Sequence, residues 1–114
     1  PSVAFQDPEE VDANFVRCLR ILLEGGAPTA VASHDELMVE AALELKDELG
    51  METGEVEFQM LYGVRRDYQR ELARAGHPVR IYVPYGSEWY PYLMRRMAER
   101  PANLALVLRA LAGG

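Results

Sequence analysis

The chain has 114 residues, of which 49% are hydrophobic, and its 12 basic and 18 acidic side chains leave a net charge of −6. That length and apolar share suit one small globular domain and exclude a disordered chain. The acidic balance argues against a nucleic-acid partner, because binding a phosphate backbone depends on a basic surface.

The chain opens at Pro1, without an initiating methionine, a targeting segment or an apolar run of membrane-spanning length, and it reads as a piece of something longer. A first helix is announced by Asp7 as N-cap, Pro8 at the first helical position and Glu10 three residues after the cap, and it stops at Gly25 and Gly26. Its apolar stripe runs through Val11, Phe15, Cys18, Leu19 and Leu22, which predicts a packed core thiol for the single cysteine and suits a reducing compartment. A short apolar run over 29–33 predicts a strand. After His34 and Asp35 comes a second helix with Met38, Ala41, Ala42, Leu45 and Leu49 on one face, closed by Gly50.

The same plan then repeats. A strand at Val56–Leu61 leads through Tyr62 and Gly63 to a helix over 64–75 that buries Val64, Tyr68 and Leu72 and ends at Gly76. A third strand over 79–83 is followed by a loop over 84–88 and a last helix, which must kink or break near Pro101, with Asn103 placed to restart it. Strands alternating with helices in this way predict βα units around a parallel sheet.

Strand faces refine the architecture. Apolar residues alternate with Glu57 and Gln59 in the second strand and with Arg80 and Tyr82 in the third. A strand in an open doubly wound sheet is covered by helices on both faces and is apolar throughout, so alternation fits a closed (βα)8 barrel better. Phe58 and Ile81 are then expected under the helices, while Glu57, Gln59, Arg80 and Tyr82 point inward and Glu57 pairs with Arg80 across neighbouring strands. Three strands cannot close such a barrel, so the expectation is the C-terminal portion of an α/β barrel, incomplete without an N-terminal part.

The active site of a barrel lies at the C-terminal ends of its strands. Ser33, His34, Leu61, Tyr62, Tyr82 and Tyr85 fall there, whereas His77 precedes a strand and belongs to the opposite end. His34 either donates a hydrogen bond to a ligand at the mouth or serves as a capping or core histidine. Trp89, Tyr90 and Tyr92 form an aromatic cluster able to cover a flat cofactor or to anchor the helix start. Tyr92, Arg95, Arg96 and Glu99 recur at i, i+3, i+4 and i+7, so a helix gathers them in one sector. Two adjacent arginine forks hold one carboxylate or phosphate from two sides, unless the same spacing only laces a solvated face with Arg–Glu pairs. Apolar walls around such a clamp suggest a small, partly apolar carboxylic acid as ligand. No Cys/His cluster has metal-site spacing and no glycine-rich phosphate loop occurs.

The strings E-F-Q-M-L-Y-G at 57–63, R-I-Y-V-P-Y-G at 80–86 and Y-L-M-R-R-M-A-E-R-P-A-N at 92–103 resemble proline dehydrogenase, in its short monofunctional bacterial form, over nearly the whole chain. The resemblance implies a distorted (βα)8 barrel of which residues 1–114 supply the last three strands and their helices. It implies FAD-dependent oxidation of L-proline to 1-pyrroline-5-carboxylate, the first step of proline catabolism to glutamate, with electrons passed to a membrane quinone. It assigns Arg95 and Arg96 to the substrate carboxylate, Tyr82, Tyr92 and Leu61 to the proline pocket, and Ser33, His34 and Glu99 to FAD. Ser33 stands where the family has threonine, keeping the hydroxyl and losing a methyl group. The family's pocket lysine, its acidic partner and its flavin-contacting arginine and glutamine belong to earlier strands, so no catalytic residue falls here and the chain is inactive alone. A cytoplasmic enzyme, peripheral at the inner face of the bacterial membrane, follows from the quinone. Tyr85 is a place to look for narrowed selectivity against hydroxyproline.

Two readings compete on the residues alone. A non-catalytic module would dock an acidic peptide on the Arg95/Arg96 helix, and a different barrel enzyme would use the same arginines for a phosphorylated substrate.

Overall fold

A computed structural model describes residues 3–98 of the chain. Four helices and three strands alternate: α1 (Pro8–Glu24), β1 (Thr29–Ala32), α2 (Glu36–Glu48), β2 (Val56–Leu61), α3 (Arg66–Arg74), β3 (Val79–Tyr82) and α4 (Trp89–Ala98), with one short 3-10 turn at Thr53–Glu55. Asp7 caps α1 by accepting a hydrogen bond from the Glu9 N–H at 3.0 Å, and Asp35 caps α2 by accepting one from Leu37 at 3.1 Å. Both caps satisfy amides that the helix itself leaves without partners.

The strands pair in parallel in the order β1-β2-β3. Val31 stands opposite Phe58, and Gln59 and Leu61 stand opposite Arg80 and Tyr82. Because side chains alternate along a strand, this register divides the sheet into two unlike faces. Val31, Val56, Phe58 and Met60 turn toward the helices and join Leu19, Leu23, Val39, Ala42, Leu45 and Leu72 in one core. Ala30, Ala32, Glu57, Gln59, Leu61, Arg80 and Tyr82 share the other face, and none of them is buried. A parallel α/β sheet with one helix layer under its apolar face is the architecture of the described residues, as the strand alternation predicts.

Four details differ from the sequence expectation. Cys18 is exposed, not packed: the buried stripe of α1 falls on Leu19 and Leu23, backed by Phe15 and Val16, which rotates Cys18 off the core. Ile81 is 36% exposed because β3 is the outer strand, and of its helix-side residues only Val79 packs against the core. β1 and β3 each end one residue early, at Ala32 and Tyr82. α3 starts at Arg66 and not at 64, because Arg65 takes a left-handed conformation (φ 51°, ψ 47°) that an α-helix cannot contain. The expected kink at Pro101 and restart at Asn103 lie outside the described residues.

Candidate functional site

The loops that leave the C-terminal ends of the strands are built from short, locally satisfied turns. In the first, the Ser33 hydroxyl accepts a hydrogen bond from the Asp35 N–H at 3.1 Å, which folds the chain back into α2 and leaves His34 at the bend. In the second, Gly63 (φ 84°) supplies a backbone conformation that side chains disfavour, and Arg65 follows as the one non-glycine residue with positive φ among those described. Gln69 of α3 reaches back to donate to the carbonyl oxygens of Leu61 at 3.0 Å and Val64 at 2.7 Å. The third loop is tied in by the Tyr62 N–H, which donates to the Tyr82 carbonyl at 2.9 Å.

His34 crosses from the first loop to the second strand. Its Nε2 accepts a hydrogen bond from the Leu61 backbone N–H at 2.8 Å, so in the neutral ring the hydrogen resides on Nδ1. Burial, and then the neighbouring Arg65 charge, push its pKa below the ordinary value of 6.5. Of the two roles open in the sequence, ligand donor or structural histidine, Nε2 takes the structural one and Nδ1–H retains donor capacity. Arg65 donates from Nη1 to the His34 carbonyl at 3.0 Å, pairs with Glu36 through Nη2 and lies 4.6 Å from the centre of the Tyr68 ring.

Beyond Leu61 the line continues onto β3 and α4. Leu61 stands beside Tyr82 in the register, and the Tyr82 ring lies 5.6 Å from that of Tyr92 with the planes tilted by 49°. The Arg96 guanidinium in turn sits 5.6 Å from the centre of the Tyr92 ring. Arg95, its chain neighbour, is exposed on the same turn of α4. The structure therefore brings Leu61, Tyr82, Tyr92 and Arg96 into one continuous row, with His34 at its β2 end. Ser33 and Tyr62 flank that row, while Tyr85 is 98% exposed in the loop after β3. Trp89 and Tyr90 pack edge to face at 5.6 Å and stay exposed. Glu99 lies outside the described residues.

Lower on the same sheet face, Arg80 donates to both Glu57 oxygens, at 2.7 and 2.9 Å, and Gln59 adds a third hydrogen bond to the same carboxylate at 2.8 Å. These contacts, Arg80 first, hold the Glu57 carboxyl down at about 2. The sequence anticipates that pair, but it carries no sign of Arg65 and Gln69, whose roles depend on a backbone conformation that residue identity does not announce. His77 sits at the other end of the sheet and packs edge-on against Phe58 at 5.5 Å. Among the described residues no group of side chains could hold a metal ion, and no helix is long and apolar enough to cross a membrane.

The row combines an apolar wall, two phenol rings packed at a tilt, a neutral imidazole donor and the Arg96 guanidinium, with Arg95 on the same helical turn. Such a set can hold a carboxylate at one end and a flat ring along its length. A sequence model of the family described as Proline dehydrogenase matches residues 1–109. Proline dehydrogenase 1 of Bacillus subtilis (strain 168) is 44% identical over 110 residues, covering 96% of this chain and 36% of the relative. Proline dehydrogenase of Deinococcus radiodurans is 42% identical over 113 residues, covering 99% of this chain and 36% of the relative. The human mitochondrial proline dehydrogenase 1 is 38% identical over 111 residues, covering 85% of this chain and 18% of its own. The chain thus spans about a third of the length of its bacterial relatives (36%).

Proposed function

The chain belongs to the proline dehydrogenase family, and from that premise we propose that residues 1–114 form the C-terminal part of a single distorted (βα)8 barrel that oxidises L-proline to 1-pyrroline-5-carboxylate. The observation that carries this reading is the row of Tyr82, Tyr92 and Arg96 beside Leu61, with Arg95 on the same helical turn.

Arg95 and Arg96 bind the proline carboxylate. Their forked donors fix the amino acid's orientation, and exclusion of water by the rest of the barrel strengthens the attraction. Tyr82, Tyr92 and Leu61 line the ring of the substrate. The redox chemistry is what FAD supplies when bound, by accepting a hydride from the carbon next to the amine. The residues present fit such a group: a half-buried imidazole with Nε2 already satisfied offers Nδ1–H to an acceptor atom, and an apolar strand end beside tyrosine rings suits a planar ring system. Ser33, His34 and Glu99 would hold it.

The remaining catalytic groups come from an N-terminal part of the same barrel, so residues 1–114 are inactive alone. Electrons leave to a membrane quinone, which makes the whole enzyme a cytoplasmic protein peripheral at the inner face of the membrane. A visible absorption spectrum of the polypeptide that carries this chain, before and after anaerobic addition of L-proline, tests the reading. Bleaching of a flavin band is the expected result. A colourless preparation that stays colourless with added FAD would favour a peptide-docking module instead.

A further inference from the structure

Three loops meet at the C-terminal ends of the strands, and one side chain ties two of them together in a way that substrate binding does not require. Arg65 belongs to the turn between β2 and α3, yet its guanidinium is spent on the preceding β1–α2 loop: Nη1 on the His34 carbonyl at 3.0 Å and Nη2 on the Glu36 carboxylate. Its side chain is only 19% exposed, although it carries a full charge. The backbone beneath it is left-handed at φ 51°, a conformation that costs a non-glycine residue free energy and persists where the surroundings over-determine it. Tyr68 closes over the guanidinium, and the Gln69 N–H donates to the Arg65 carbonyl at 3.0 Å.

What this arrangement holds still is His34. With its carbonyl fixed by Arg65, the residue can turn only its ring, and the ring is fixed in turn by the Leu61 N–H on Nε2 at 2.8 Å. A backbone amide can only donate, so Nε2 must stay unprotonated and the hydrogen must reside on Nδ1. An imidazolium would lose that bond and would face the Arg65 charge as well. Charged or titratable side chains around this arrangement include Asp35, the α2 cap, Glu36, already paired with Arg65, and Tyr68, with Glu40 and Glu71 acting on Tyr68.

We propose that Arg65 is a positioning residue that holds His34 as the neutral Nδ1–H tautomer, so that the ligand over the strand ends meets a hydrogen-bond donor at that nitrogen. The identity of that ligand as FAD rests on the function proposed above; the tautomer does not. The acceptor it serves is an oxygen or ring nitrogen of the cofactor.

Nitrogen-15 spectra of the full-length protein, labelled at histidine and carrying whatever cofactor it purifies with, test the assignment. The His34 signals are identified by their disappearance in His34→Gln. Expected at neutral pH is a protonated Nδ1 and an unprotonated Nε2, in excess over the other tautomer by roughly tenfold, the factor that one hydrogen bond of ordinary net strength supplies. Arg65→Met should shift both ring signals toward averaged values, and Arg65→Lys should restore part of the wild-type pattern by returning the charge without the fork. A protonated Nε2 in the wild type overturns the proposal whether or not the variants fold. Ring signals unchanged in a folded Arg65→Met protein overturn it as well. A preparation without flavin that shows the Nδ1–H pattern and the Arg65 dependence would sink the cofactor reading while sustaining the tautomer assignment.

Discussion

Glu57 and Arg80 form a two-pronged ion pair across β2 and β3, with Arg80 reaching back from its register partner Gln59 to the carboxylate one pleat below. Gln59 donates to the same Glu57 oxygen as the Arg80 Nε, so two side chains on neighbouring strands share one anion. The pair stands on the sheet face that carries no helices. Its linkage to pH follows from the sign of the shift. The folded carboxyl titrates at about 2 against an ordinary 4.5, so the stability it contributes is present above 4.5 and is lost as pH falls toward 2. Glu57→Gln should flatten the acid limb of the stability curve over that window while leaving the neutral limb parallel to wild type. Denaturant unfolding of the full-length protein across that range measures it, and identical acid limbs would show that the pair is not formed in solution.

His34 gives a pH dependence of the opposite origin. Its folded pKa is depressed, chiefly by burial, so the folded state binds fewer protons than the unfolded chain and stability falls as pH drops below the ordinary 6.5. His34→Gln keeps an acceptor for the Leu61 N–H but cannot be protonated. The variant should therefore lose the decline between neutral pH and pH 5 that the wild type shows, a difference visible in unfolding midpoints taken at the two ends of that range.

Phe58 is fully buried at the centre of β2 and packs edge-on against His77. Phe58→Ala leaves a cavity under all three helices of the core and should cost about 3–5 kcal/mol. Phe58→Leu, which keeps most of the volume, should cost much less. Chemical denaturation of the full-length protein reads both, and equal losses would mean that the site collapses without a cavity.

Arg95 and Arg96 carry the substrate assignment. Arg95→Met and Arg96→Met should each lower kcat/KM for L-proline by about 2–5 kcal/mol of transition-state stabilisation, the range found when one partner of a desolvated charge pair is removed, with much of the change in KM. Arg96→Met should have a second effect, because its guanidinium also rests on the Tyr92 ring and steadies the tyrosine pair. Unchanged KM for proline in both variants would remove the clamp.

Much of this arrangement is legible from residue order. The cap at Asp7 and the alternation in β2 and β3 locate elements, because a capping side chain acts within three residues and a pleat repeats every two. Those signals are local, so they survive in any context. Cys18 shows where locality ends: the expected stripe through Val11, Phe15, Cys18, Leu19 and Leu22 leaves Val11, Cys18 and Leu22 exposed, because the helix turns Leu19 and Leu23 inward. A rotation of that size about the helix axis is decided by what the helix packs against, not by its own composition.

The candidate site divides along the same line. The chain by itself determined that Tyr92, Arg95 and Arg96 share a helical sector, that Glu57 and Arg80 each fall on the polar side of their own strand, and which family the strings belong to, since each depends on spacing or on residue identity alone. Only the tertiary structure decided that Tyr82 packs against Tyr92, that Arg65 crosses to another loop, and that Leu61 donates to His34 and so dictates which ring nitrogen keeps its hydrogen. Those contacts join residues 10, 31 and 27 positions apart. No local rule encodes them, because parallel strands and the helices between them must first be in register before such partners come within hydrogen-bonding reach.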